Sequence, residues 1–202
     1  MVFDGILLSL LIGFLRGGNL YGLATLKIRW GAFFPLLLLF EVTIFIFQHQ
    51  FSWLETVSGH LYILIYIVGL LFLWVNRIQP GFMVILLGVL LNFIVISING
   101  GRMPVSMEAA KILDPFYIET LKNGVYAKHT LLTEHTRLGF LGDIIPITNP
   151  YPKDQVVSIG DIVMNIGIFL FIQSLMVIHK GNSLNEGGGV NEQHGRKEGV
   201  KC

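Results

Sequence analysis

Side chains able to do chemistry are few in this chain, and they fall in a handful of places. Asn99-Gly100-Gly101-Arg102-Met103-Pro104 ends a long apolar run. Gly100 and Gly101 allow a backbone nest, Arg102 offers a planar fork, and a helix starting after the proline would present free N–H groups, together the ingredients of a phosphate or carboxylate site. The plainer alternative is a flexible helix exit whose arginine meets lipid headgroups. Asp161 lies inside the last apolar run, with Ser158 before it and Asn165 one helical turn beyond on the same face. An ionisable residue within an apolar span is costly and a functional candidate by default; the alternative is a pair that fixes packing, for instance Asp161 with Arg102. Glu41 sits in the middle of another run with no basic residue at comparable depth, so it is expected to be protonated and to hydrogen-bond a neighbour such as Asn92.

His129, Glu134 and His135 form the densest group of potential metal ligands. The spacing of the two histidines is not the i, i+4 pattern that brings two imidazoles together on a helix, so a solvated loop is favoured and neither a metal nor a cofactor is expected. Asp143, after Leu141-Gly142, completes the candidate ligand-binding set of Gly100, Gly101, Arg102, Asp143, Asp161 and Asn165. No nucleophile elbow, phosphate-binding loop, dinucleotide fingerprint or zincin motif occurs.

The elements that must position these residues are read from composition and hydropathy. In 202 residues, 53% are hydrophobic and 13% charged, well below the roughly 25% charged content of soluble domains. Five apolar runs, at about 1–15, 31–47, 61–75, 82–98 and 156–178, predict an all-α polytopic transmembrane bundle in one membrane-embedded domain over residues 1–178. The first run lacks a basic n-region and is followed by Arg16, the reverse of a signal peptide. Asn92 and Asn99, seven residues apart, share a face of the fourth span that should look into the bundle.

Residues 100–155 are expected to form a segment capping the bundle, with one helix from Pro104 to Leu113 and a second from Phe116 to Asn123 closed by Gly124. Pro146, Pro150 and Pro152 forbid a long helix further on. Residues 179–202 read as a disordered cytoplasmic tail.

Lys and Arg number three in 16–30, none in 49–60, one in 76–81, six in 100–155 and four in the tail. Short basic loops stay in the cytoplasm, which puts the N-terminus outside, the C-terminus inside, and the 100–155 segment, with six acidic residues balancing its six basic ones, outside. A net charge of +1 with dispersed basic residues excludes a nucleic-acid footprint. The single cysteine, Cys202, excludes a disulfide framework and a thiolate metal site.

Gly100-Gly-Arg-Met-Pro104, Leu141-Gly-Asp143 and Ser158-Ile-Gly-Asp161-Ile162, set on five apolar segments, resemble a family of small bacterial integral membrane proteins that is a domain of unknown function. The resemblance runs from Met1 to about Ile178. It implies a bacterial plasma-membrane location and carries no catalytic residue onto this chain.

Three functions fit these readings. The first is binding or transport of an anionic lipid or phosphate-bearing ligand near the outer face, with Arg102 holding the anion and Asp161 orienting it. The second is a membrane-embedded enzyme on a lipid-linked substrate, with Asp143, Asp161, His129 or His135 as acid or base. The third is a non-catalytic membrane partner whose polar residues only specify helix packing. Membrane lipids are the expected partners in all three.

Overall fold

The structure, a computed structural model, describes residues 2–47, 50–122 and 128–178. The expected disordered tail and the expected Gly124 cap lie outside the described residues.

The chain is mostly helical. The apolar runs form α1 (Val2–Leu15), α3 (Phe33–Phe47), α4 (Ser52–Val75), α5 (Phe82–Ile98) and α8 (Ile159–Gln173). A one-turn α2 (Tyr21–Ala24) follows α1, and α8 runs on into a π-helical turn, Ser174–Ile178. Two helical stretches, Thr56–Val75 and Ile159–Val177, are long and apolar enough to cross a membrane; Gly5–Leu15, Phe33–Phe47 and Phe82–Ile98 are shorter apolar helices. Pro35 sits in the first turn of α3, where the missing N–H would have had no intrahelical partner.

The helices pack in sequence α1, α8, α5, α4, α3, with α5 against α8 the most extensive contact. Small residues set that distance: a Cβ at Gly88 would come within 2.5 Å of both the Gly160 carbonyl oxygen and the Met164 amide nitrogen, so the two backbones meet with nothing between them. Phe82 packs edge-on to Phe171, with ring centroids 4.9 Å apart, and belongs to a core with Phe72 and Leu73. α1 runs parallel to α8, Gly5 lying against Asn165 and Gly13 against Met176. Gln173 Nε2 donates to the Ser9 carbonyl at 2.7 Å, and Arg16 Nη1 donates to Gln173 Oε1 at 2.8 Å.

The segment between α5 and α8 departs from the all-helical expectation. Among the described residues it holds four short strands: β1 (Met103–Val105), β2 (His129–Leu131), β3 (Ile145–Ile147) and β4 (Gln155–Val157). β1 pairs parallel with β2, and β3 pairs antiparallel with β4. Of the expected helix from Pro104 to Leu113 only one turn forms, α6 (Met107–Ala110), N-capped by Ser106, because Pro104 is committed to β1. The second expected helix is present as α7 (Pro115–Lys122). Val105, Ala110 and Leu121 form the core of this cap.

Two helix boundaries also shift. α4 begins at Ser52, nine residues before the expected start, because residues expected to be a polar connection form its first turns beneath the cap, with Ser58 fully buried. α8 begins at Ile159, since Val156 and Val157 belong to β4.

Candidate functional site

Three stretches far apart in the chain meet where the cap sits on the bundle. Gly100 and Gly101 end α5 with left-handed φ values of 68° and 80°. The Gly101 N–H donates to the Ile96 carbonyl at 2.9 Å, the six-to-one bond of a Schellman stop, in which only glycine takes such φ without strain. The expected anion nest is therefore a helix terminator, with the Gly101 amide already bonded. In place of a helix start after Pro104 there is a strand, whose Met103 N–H donates to the Lys128 carbonyl at 2.6 Å. Gly59 on α4 lies against Gly100 and Gly101, backbone to backbone.

β1 is flanked on its other side by Asp143. The Asp143 N–H donates to the Pro104 carbonyl at 2.8 Å, and the Ser106 N–H donates to the Asp143 carbonyl at 2.9 Å. Gly142 permits this approach, because a Cβ there would lie 2.5 Å from the Pro104 oxygen. The short Leu-Gly-Asp and Gly-Gly-Arg-Met-Pro stretches are thus two halves of one backbone arrangement.

The third stretch opens α8. Ser158 Oγ accepts from the Asp161 N–H at 3.0 Å and Asp161 Oδ2 accepts from the Ser158 N–H at 3.2 Å, a reciprocal capping box. Asp161 therefore stands in the first turn of α8 and not well inside an apolar span as its place in the run suggests. Its Oδ1 accepts from Asn92 Nδ2 at 2.9 Å, and Asn92 Oδ1 accepts from Ser158 Oγ at 2.9 Å. Asn92 thus bridges α5 to the start of α8, and Asp161, engaged in this way, forms no ion pair with Arg102. Asn165 Nδ2 donates back to the Asp161 carbonyl at 2.8 Å, leaving its buried Oδ1 without a hydrogen bond.

Arg102 reaches α4 instead, where its Nη2 donates to Ser58 Oγ at 2.6 Å and its guanidinium carbon lies 5.9 Å from the Tyr62 ring centroid. Ser58, Tyr62 and Tyr66 are four residues apart and form one polar stripe on α4 facing this cluster. Glu41 is not paired with Asn92. Lys128, at the edge of the cap, reaches down and its Nζ donates to Glu41 Oε1 at 2.8 Å, supplying a counter-ion that α3 itself lacks. Burial opposes the charge on Lys128, but Tyr66 and the hydrogen-bonded Glu41 outweigh it and hold the ammonium above the ordinary lysine range.

His129 Nε2 lies 3.6 Å from Asp143 Oδ2, and both side chains are largely buried. Burial, reinforced by Lys128 and Arg102, pushes His129 down to about 3. Burial, with Asp161 nearby and against an opposing effect of Lys128, lifts Asp143 well above the usual carboxylate range. Both shifts favour the neutral forms, so the imidazole is uncharged near neutral pH and the Asp143 carboxyl holds its proton to higher pH than a free carboxylate does. His135 and Glu134 are exposed in the turn after β2, apart from buried His129. Among the described residues, no group of three or more His, Cys, Asp or Glu is placed to hold a metal ion.

The structure therefore gathers Arg102, Asp143, Asp161 and His129 at one end of the bundle, and adds Lys128, Ser58, Tyr62 and Tyr66, which sequence reasoning did not single out. The i, i+4, i+8 spacing of Ser58, Tyr62 and Tyr66 was a usable signal, as was the Ser158-x-x-Asp161 capping pattern. Nothing local announces the Lys128 to Glu41 pair, 87 residues apart.

Comparison with known proteins adds no activity. No solved structure matches the chain. An uncharacterized protein of Thermotoga maritima is 38% identical over 102 residues, covering 50% of this chain and 55% of the relative, so the match spans about half the length of each. A family model described as a family of unknown function, DUF5317, matches residues 25–173, which takes in α3, α4, α5, the whole cap and α8 through Gln173. The chain belongs to the DUF5317 family.

Proposed function

We propose that this is a multi-pass protein of the bacterial plasma membrane, crossed by α1, α3, α4, α5 and α8, with its N-terminus outside. The supporting observation is where the apolar surface lies. Leu7, Leu39, Leu64, Leu87 and Ile166, one on each of the five helices, are between 50% and 66% exposed, far beyond the scattered apolar exposure of a soluble monomer. Arg16, Lys27, Arg29 and Arg77 gather at the end away from the cap, and residues 16–32 and 76–81 contain no Asp or Glu, the charge bias of a cytoplasmic face. Exposed Trp30 and Trp74 stand at this end and Trp53 at the other, as interfacial anchors do. Single cysteines at Thr133 and Lys27 in a Cys202→Ser background test the sidedness. Thr133→Cys should react with a membrane-impermeant thiol reagent in intact cells and Lys27→Cys should not; the opposite pattern reverses the topology.

The function this geometry supports best is binding of an anionic lipid or phosphate-bearing ligand at the outer end, with Arg102 and Lys128 as its cations. The carrying observation is the convergence of Arg102, Lys128, His129, Asp143 and two tyrosines beneath the cap of an otherwise apolar bundle, an arrangement typical of sites and costly for mere packing. Asp161, occupied with capping α8 and holding Asn92, has a structural role in this reading. Native mass spectrometry of the detergent-purified protein should show a bound anionic species that Arg102→Ala abolishes while the fold survives. An unliganded wild type after gentle extraction would remove this reading.

A second reading rests on the His129 and Asp143 contact. A buried carboxyl 3.6 Å from an imidazole, each shifted toward its neutral form, offers a proton donor and an acceptor, as acid–base chemistry on a lipid-linked substrate would require. Turnover lost in Asp143→Asn with stability retained would favour it.

A further inference from the structure

The end of the bundle away from the cap carries a second, separate feature. Between α4 and α5 runs a groove of about 360 Å³, lined by Leu70, Leu71 and Trp74 on one wall and Leu86, Leu90 and Phe93 on the other. At its mouth Arg77 is stacked with its guanidinium carbon 4.6 Å from the Trp74 ring centroid, and its Nη1 donates to the Trp74 carbonyl at 3.0 Å. This uses one of the five N–H donors of the guanidinium and fixes the direction of the rest.

Two further cations are brought to the same rim. Buried Asn76 accepts from the Arg29 N–H at 2.8 Å and donates to the Arg29 carbonyl at 3.0 Å. Gln79 Nε2 donates to the Lys27 carbonyl at 3.4 Å. The loop carrying Lys27 and Arg29 is thus stitched to the turn carrying Arg77. Within residues 5–40 and 56–107 there is no Asp or Glu to neutralise this rim.

The groove fits within one leaflet. On α5 its lining runs from Leu86 to Phe93, about 10 Å at 1.5 Å per residue, against about 15 Å for half of a hydrocarbon core. An apolar slot within one leaflet, opening on three cations that no acidic side chain pairs with among the described residues, suits an acyl chain of a phospholipid with a negatively charged headgroup.

We propose that this groove binds one acyl chain of an anionic glycerophospholipid of the leaflet at the cap-distal face, with the headgroup phosphate on Arg77 and the negative charge further compensated by Lys27 and Arg29. The inference rests on the membrane-spanning reading and is independent of the ligand bound beneath the cap.

The test is native mass spectrometry of detergent-purified, delipidated full-length protein offered dioleoyl phosphatidylglycerol or dioleoyl phosphatidylcholine. The wild type should retain one phosphatidylglycerol in preference to phosphatidylcholine, and Arg77→Gln should lose about fivefold of that preference, the size expected for one interfacial cation. Leu71→Trp, which fills the groove from its exposed rim, should lower retention of both lipids, while Arg102→Ala should leave this preference unchanged. Equal retention of the two lipids by the wild type, retention of neither, or an Arg77→Gln protein indistinguishable from the wild type would each overturn the site. Recovery of the chain in the soluble fraction without detergent would instead overturn the membrane reading beneath it.

Discussion

Replacing Asp143 by Asn should change how stability depends on pH, and the direction follows from the two buried groups. His129 is held near 3, below its ordinary value of 6.5, so the unfolded chain binds a proton that the folded chain refuses. Its contribution to stability is full above about pH 6.5 and is lost as pH falls toward 3. Asp143 is raised above its ordinary 3.8, so the folded chain keeps a proton that the unfolded chain releases. Its contribution is full below about pH 3.8 and is lost as pH rises toward its folded value. Between these limits the two slopes oppose each other, and each approaches about 1.4 kcal/mol per pH unit when one whole proton separates the states.

In Asp143→Asn only the histidine slope remains. Relative to the wild type, that variant should gain stability as pH rises from about 4, by up to about 1.4 kcal/mol per pH unit while folded Asp143 keeps its proton. His129→Gln removes the histidine slope and should lose stability over the same interval. The assay is reversible unfolding in mixed micelles at matched ionic strength, with each variant compared with the wild type at every pH so that other titrating groups cancel. Parallel profiles for the wild type and Asp143→Asn would refute the neutral-pair assignment.

Lys128→Met and Glu41→Gln should each destabilise the protein, and the double change should cost less than the sum of the two. The coupling should be about 1 kcal/mol, because each partner is about one-third exposed; thermal denaturation in detergent that shows strict additivity would contradict the pair. Asn92→Ala removes the bridge to both Asp161 and Ser158 and should cost about 1 to 3 kcal/mol in the same assay. Gly160→Ala places a methyl against Asn92 and the Gly88 carbonyl, so α5 and α8 must part at a cost of about 1 to 3 kcal/mol. Arg102→Ala and Asp161→Ala, whose side chains engage different partners, should be additive within about 0.5 kcal/mol; a larger coupling would restore the shared pocket suggested by their sequence positions.

Much of the fold was legible because its signals are local. An apolar run of sufficient length forms a helix wherever water is excluded, and a Gly-Gly after such a run stops it, so α1, α3, α5 and α7 lie within a residue or two of their expected places. The strands of the cap were not legible. Three-residue strands have too little length for periodicity, and the pairing of Met103 with His129 is a contact across 26 positions that no local propensity encodes. Polar residues within apolar helices marked themselves by their cost, which is why Glu41, Asn92 and Asp161 stood out from sequence alone. Their partners depend on how far apart in the chain the packed elements are: Lys128 enters from the cap to meet Glu41, Asn92 takes Asp161, and Arg102 turns to Ser58. The sequence by itself determined which residues need a partner, because that need is a desolvation cost carried by each side chain. Tertiary structure alone decided which partner each obtained, because that choice depends on distances set by the closeness of α5 to α8 and of Gly59 to Gly100 and Gly101.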